Sequence, residues 1–199
     1  MHVQFLIEIA GISVVRGSFR ESGFFSRLRV RLDCLRDTIP VDHARILEKA
    51  LDSLTASLGT IDIPWVWRLG DFTPWNTGIE KKAGRIACID VEYADRDSIP
   101  GWDIFHFLRQ AAGQNSGKVD IASAAQRDGL AYFEALSIYP RLIPTLYAAY
   151  LFDLYTLWAV LWVRHDQPLT SRAAETLAHL TGLLDESMQK QEAERAREQ

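Results

Sequence analysis

Cysteine is scarce: Cys34 and Cys88 are the only two in 199 residues. Two thiols so far apart exclude a disulfide scaffold and fit a chain working in a reducing cytosol. Charge of one sign is not in excess either. Lys plus Arg number 22 against 26 Asp plus Glu, a net charge of −4 with a pI near 5.7, so no global basic field recruits nucleic acid or anionic lipid. Glycine and proline, at 12 and 7, are too few for a collagenous or linker-rich chain. Residues 1–10 carry Glu8 and lack a basic n-region, so no signal peptide is read there. Several catalytic signatures are missing. There is no Gly-x-Ser-x-Gly elbow and no His-Glu-x-x-His. The stretch Gly113 to Val119 is similar to a phosphate-binding Walker loop, but it is one residue short and ends in Val where a hydroxyl must reach Mg²⁺. His2, His43, His165 and His179 have no spacing that suggests a metal site.

What is there is an ordinary globular composition, 48% apolar and 24% charged. A chain of this length can bury about 70% of its unfolded surface without staples. One domain over 1–188 with a polar tail over 189–199 is expected. Thr145 to Val163 is nearly continuous apolar sequence interrupted by Asp153. It is long enough to span a bilayer, but a carboxylate at mid-membrane costs about 2.5–3.5 kcal/mol, and Pro144 stands where a soluble helix begins. A buried core helix is therefore the reading, and membrane association is not expected.

Along the chain, Phe5 to Ile12 reads as a helix, and Arg16 to Arg36 holds six Arg against Glu21 and Asp33, taken as a solvated helical face. Ala44 to Leu58 has helical spacing closed by Gly59. Ile63, Trp65 and Trp67 alternate, and Pro64 points to an edge or a strand start. Thr77 to Glu80 and Arg85 to Asp90 form a hairpin with Lys81 and Lys82 at a solvated tip. Helices follow over Trp102 to Gln110, Ile121 to Leu136, Pro144 to Val163 and Ser171 to Met188. The trend is α+β and mainly helical with a small β insert. Trp65, Trp67, Trp75 and Trp102 are read as packing residues, and His106, set among Phe105, Phe107 and Leu108, as a satisfied core histidine.

The hairpin matters for what it joins. Asp71 and Asn76 precede its first strand and Asp90 ends its second, and an antiparallel return brings its two ends side by side. Two carboxylates and one amide carbonyl are a hard, all-oxygen donor set suited to Mg²⁺, which completes its shell with water and substrate phosphates. Asp-x-x-x-x-Asn followed by a strand-borne Asp is also the phosphoryl-transfer arrangement of the protein-kinase-like fold.

Leu69-Gly70-Asp71-Phe72-Thr73-Pro74-Trp75-Asn76, then Ile89-Asp90-Val91-Glu92-Tyr93-Ala94, then Pro100 through Leu108, together closely resemble the aminoglycoside phosphotransferase and choline kinase-like family. The helical remainder resembles that family's C-terminal lobe. The resemblance implies an ATP- and Mg²⁺-dependent transfer of the γ-phosphoryl group to a hydroxyl of a small molecule. It implies Asp71 as general base, Asn76 and Asp90 as Mg²⁺ ligands, and Asp103 as a buried brace of the catalytic loop. Glu92 matches an acidic position of the motif and takes no assigned role beyond a possible accessory one.

Two departures stand out. The family carries His two residues before the base, where this chain has Leu69; leucine makes no hydrogen bond, so packing is expected to position the loop. The family also has an N-terminal lobe with a phosphate-covering loop and a strand lysine. The segment before Asp71 reads as helices and holds no Gly-x-Gly-x-x-Gly. Losing one charge-assisted bond of about 1.5–3 kcal/mol weakens ATP handling about ten- to a hundredfold. Weak activity alone is therefore expected, either as a truncated chain or with a separate polypeptide supplying the missing lobe; the alternative is a catalytically inactive lobe serving as a binding or regulatory module.

Overall fold

The computed structural model describes residues 2–80, 84–113, 119–165 and 170–197, with side chains to residue 186. The Lys81–Lys82 tip and most of the Walker-like stretch lie outside the described residues. The chain runs α1 (His2–Ser13), β1 (Val15–Ser18), α2 (Gly23–Leu35), α3 (Val41–Leu58), β2 (Asp62–Arg68), β3 (Thr77–Glu80), β4 (Arg85–Cys88) and β5 (Asp95–Ser98). Helices α4 (Trp102–Ala112), α5 (Ile121–Asp128), α6 (Leu130–Ala135), α7 (Ile143–Arg164) and α8 (Ser171–Arg197) complete it. It is a mixed α+β fold, mainly helical, with two small sheets.

Helix α7 is the axis of the core. It is apolar on nearly every side, with Tyr150, Leu151, Phe152 and Tyr155 at most 1% exposed, and it packs against α8, α2, α3, α5 and α4. By length and composition it passes as a membrane span, yet 67% of its apolar window is buried within the protein, as befits a central helix. Asp153, fully buried, is met by Arg31 Nη1 at 2.8 Å, by Arg68, and by the Trp102 indole N–H at 3.0 Å. Burial alone raises the pKa of a carboxyl, but the Arg68 and Arg31 charges and these hydrogen bonds overturn that and hold the Asp153 carboxyl below the usual range.

The Arg-rich segment is solvated at Arg16, Arg20, Arg29 and Arg36, while Arg27 and Arg31 turn inward. Arg31 reaches Asp153, Arg27 bonds the Asp97 carbonyl and sits 3.1 Å from the Asp95 carboxylate, and Arg16 donates to the Leu136 carbonyl at 2.9 Å. Arg27 and Arg31 bind elements together through acidic partners that lie far along the sequence, Asp95 and Asp153.

Three-stranded pairing runs β1-β2-β5, all antiparallel. Pro64 lies near the start of β2, opposite Arg16 of β1, and β5 joins β2 only from Val66 on, so the strand is paired on one side at the proline. Strand alternation fails there: residues 63–66 are all buried while Trp67 is exposed. Strands β1 and β5 carry too few apolar residues to signal themselves; β5 reads Asp-Arg-Asp-Ser and is held by β2 and by Arg27 and Arg68 against Asp95. The stretch expected as one helix from Ile121 to Leu136 breaks at Gly129, where a Cβ would stand 2.7 Å from the Ala125 carbonyl. Helix α8 continues through Gln189 to Arg197. Strands β3 and β4 pair in the register Thr77↔Cys88 to Glu80↔Arg85, so Asp90 lies two residues beyond the strand that was expected to contain it.

Candidate active site

The turn from β2 to β3 is shaped by Gly70, at φ +85°. Its left-handed backbone suits glycine, and a Cβ there would collide with the Tyr93 carbonyl. Phe72, 1% exposed, anchors the turn against the rings of Phe5 and Phe107, at 6.0 and 5.5 Å. Buried Thr73 accepts the Asn76 N–H at its hydroxyl and at its carbonyl, each 3.2 Å, and its carbonyl also accepts the Thr77 hydroxyl at 2.9 Å. The residues from 71 to 76 are therefore a self-bonded turn on an aromatic anchor.

On this turn Asp71 and Asn76 are in direct contact: the Asn76 amide donates from Nδ2 to Asp71 Oδ2 at 2.6 Å. With its nitrogen committed, the amide turns Oδ1 away from Asp71 as a hard donor. The Asn76 carbonyl accepts the Ile89 N–H at 2.9 Å, continuing the β3–β4 ladder by one step and setting Asp90 beside the same turn. Asp90 is exposed, with φ +60°, a conformation that Asp tolerates better than most side chains and that recurs at functional turns. Burial first, then the charges of Asp103, Asp71 and Asp90, push the Cys88 thiol up. Burial, Glu92, Asp71 and Asp90 push the Tyr93 phenol up. Glu92 itself is exposed and bonded to Tyr93.

Among the described residues, no group of three or more His, Cys, Asp or Glu is placed to hold a metal ion. A cation here would lean on Asn76 Oδ1 and Asp90 with substrate and water oxygens. That donor chemistry fits Mg²⁺, which rarely has an all-protein cage.

Asp103, in the first turn of α4 and 5% exposed, accepts the Leu69 N–H at 2.9 Å and the Gly70 N–H at 3.0 Å. Its burial raises the carboxyl pKa against the pull of these two amides, Arg68 and His106. The Leu69 side chain packs half-buried on the core. The loop is therefore fastened by its backbone, not by packing alone.

His106 is the buried, satisfied histidine the sequence suggests, and its partners add to that reading. It is 3% exposed, and one of its partners is Asp71: Nε2 lies 3.4 Å from Asp71 Oδ1, and Nδ1 lies 3.1 Å from the Tyr150 hydroxyl. The available signal was spacing, since residues three apart on a helix share a face, and Asp103 and His106 both face the Asp71 turn.

No family model matches the chain, and no curated protein matches it. Among solved structures it is similar to a glucosamine kinase in complex with glucosamine, ADP and inorganic phosphate. That likeness has a TM-score of 0.58 and 20% identity, over 95% of this chain and 54% of the other. Two further glucosamine kinase structures align with TM-scores of 0.57 and 0.56, at 18% and 20% identity, over 95% and 92% of this chain and 53% and 50% of theirs. The chain spans about half the length of those kinases, and what it shares with them is their fold.

Proposed function

We propose that this chain is the catalytic lobe of a cytosolic, ATP- and Mg²⁺-dependent phosphotransferase of the aminoglycoside phosphotransferase and choline kinase-like kind, with a protein-kinase-like C-terminal lobe. Its substrate is a hydroxyl on a small molecule, an amino sugar being the first acceptor to test given the glucosamine of the similar kinase. The observation carrying this reading is the Asn76 amide bonded to Asp71 while its backbone carbonyl holds Ile89, beside Asp90.

Asp71, half-buried at 28% side-chain exposure, has one oxygen on the Asn76 amide and takes the acceptor's hydroxyl proton as general base. Asn76 Oδ1 and the Asp90 carboxylate would hold Mg²⁺. When bound, that ion neutralises charge developing on the transferring phosphoryl group. Asp103 keeps the base at a fixed position through Leu69 and Gly70. The nucleotide contacts outside these residues belong to a further lobe, and without that lobe turnover is slow.

The test is Mg²⁺-ATP turnover over a panel of amino sugars, aminoglycosides and amino alcohols, with the chain alone and with a supplied nucleotide lobe. Asp71→Asn is expected to lower kcat about 10²–10⁴-fold, the usual contribution of a positioned base. Asp90→Asn is expected to raise the Mg²⁺ concentration needed for half-maximal turnover and to lower kcat. An Asp71→Asn protein as active as wild type overturns the reading.

A further inference from the structure

Leu69 leaves the base without the upstream histidine of the resembled family, and a substitute approaches from another element. Tyr150, on α7 and fully buried, has its hydroxyl 3.1 Å from His106 Nδ1. Among the described residues that ring nitrogen is the hydroxyl's hydrogen-bond partner. A buried hydroxyl proton without an acceptor is costly, and burial pushes the phenol's pKa far up, so it stays protonated. The Tyr150 O–H therefore donates and Nδ1 accepts. A neutral imidazole accepting at one nitrogen carries its proton on the other. That nitrogen, Nε2, lies 3.4 Å from Asp71 Oδ1, long as such contacts are before substrate closes a site. Trp102 stacks on the imidazole at 5.0 Å and 20°, fixing the ring plane.

We propose that Tyr150 and His106 form a positioning relay, in which the Tyr150 hydroxyl fixes the Nε2–H tautomer of His106 and that N–H orients the carboxylate of Asp71. With Asn76 on Oδ2 and His106 on Oδ1, the base is gripped at both oxygens, by one group from the turn and one from α4. His106 is a positioning residue and touches no reacting atom. The proposal rests on Asp71 being the base, but its geometry is testable without turnover. Gln110, with its amide nitrogen 3.4 Å from the same Nε2, is the competitor, since a flipped amide would present its oxygen there.

Nitrogen-15 NMR of the imidazole in the full chain reads the tautomer. The expected result is Nε2–H, with a slowly exchanging ring proton that is lost in Asp71→Ala and a mixed tautomer in Tyr150→Phe. An Nδ1–H ring, or an Nε2 proton unchanged by Asp71→Ala, overturns the relay; the second outcome assigns that proton to Gln110. In the turnover assay His106→Ala is expected to lower kcat about a hundredfold with KM for ATP unchanged. His106→Gln, which keeps an N–H within reach, recovers part of the loss. Equal losses in both variants, matched by their loss of folded protein, mean a structural role only and also overturn it. If wild type turns over no acceptor, the phosphotransferase reading fails while the NMR still decides whether His106 holds Asp71.

Discussion

One carboxylate, that of Asp103, accepts the backbone N–H groups of both Leu69 and Gly70, at 2.9 and 3.0 Å. The start of helix α4 is thereby tied to the turn that carries Asp71. Both amides are buried or half-buried, so removing the acceptor strands two donors. Asp103→Ala is expected to lose about 3 kcal/mol, because a hydrogen bond to a charged group contributes about 1.5–3 kcal/mol and stranded donors add to the cost. Asp103→Asn, keeping one acceptor oxygen, is expected to lose about half that. Urea unfolding measures both, and equal stability of Asp103→Ala and wild type would refute the tie.

Gly70→Ala tests the turn from its other side. A methyl group here meets the Tyr93 carbonyl and must adopt φ +85°. Left-handed backbone alone costs a side chain about 1–2 kcal/mol, and the collision with fixed backbone adds to it. A loss of about 2 kcal/mol or more is expected, with Asp71 displaced and turnover falling further than folded fraction. Gly78, where a Cβ meets nothing within 4 Å, is the control: Gly78→Ala is expected to change stability by under about 1 kcal/mol.

The helices were legible in the sequence because their apolar spacing is local, and the hairpin was legible from its turn. Strands β1 and β5 were not, since Val-Arg-Gly-Ser and Asp-Arg-Asp-Ser become strands only by pairing with β2. Pro64 was readable, since it sits near the start of β2 where only β1 pairs with the strand and no second ladder needs its nitrogen. Within the Arg run, the inward turn of Arg31 was hidden because its counter-charge lies 122 residues away. At the candidate site, Asp71 and Asn76 lie five residues apart on one turn, within reach of pattern reading. The grip of His106 on Asp71 comes from tertiary packing of α4 across the turn, and a histidine among phenylalanines signals burial without naming its partner.

The buried network around Asp153 yields a larger effect. Arg68, 3% exposed, and Arg31 both face this carboxylate, and Arg68 also lies over the Trp102 ring at 4.6 Å. Asp153→Asn removes the charge but keeps the shape, leaving two guanidinium groups in apolar surroundings. Breaking one side of a buried pair costs about 3–5 kcal/mol, a large share of a typical domain's stability. Asp153→Asn is expected to unfold at markedly lower urea. Pairing it with Arg68→Met is expected to recover part of the loss, because the stranded charge is then gone. A double variant no more stable than the additive sum would show that Asp153 acts through Arg31 and Trp102 alone.

Acid sensitivity is expected at the seam between α4 and α8. Arg109, 8% exposed, donates to His179 Nδ1 at 3.1 Å and to the Thr176 hydroxyl at 2.9 Å, with Glu175 4.0 Å away. A ring nitrogen that accepts from a guanidinium is unprotonated. Burial first, then the Arg109 charge, hold the His179 pKa below its ordinary 6.5, with Glu175 pulling the other way. The unfolded chain therefore binds this proton more readily than the folded one. The stability owed to His179 is complete above about pH 6.5 and is lost as pH falls below it, levelling once the folded imidazole itself protonates. His179→Gln keeps a side chain that can accept from Arg109 and does not titrate. Its Tm is expected to fall less than that of wild type between pH 7.5 and 5.5, and the difference between the two profiles isolates this histidine from every other titrating group. Parallel profiles would mean that α8 stays docked whether or not His179 carries a charge.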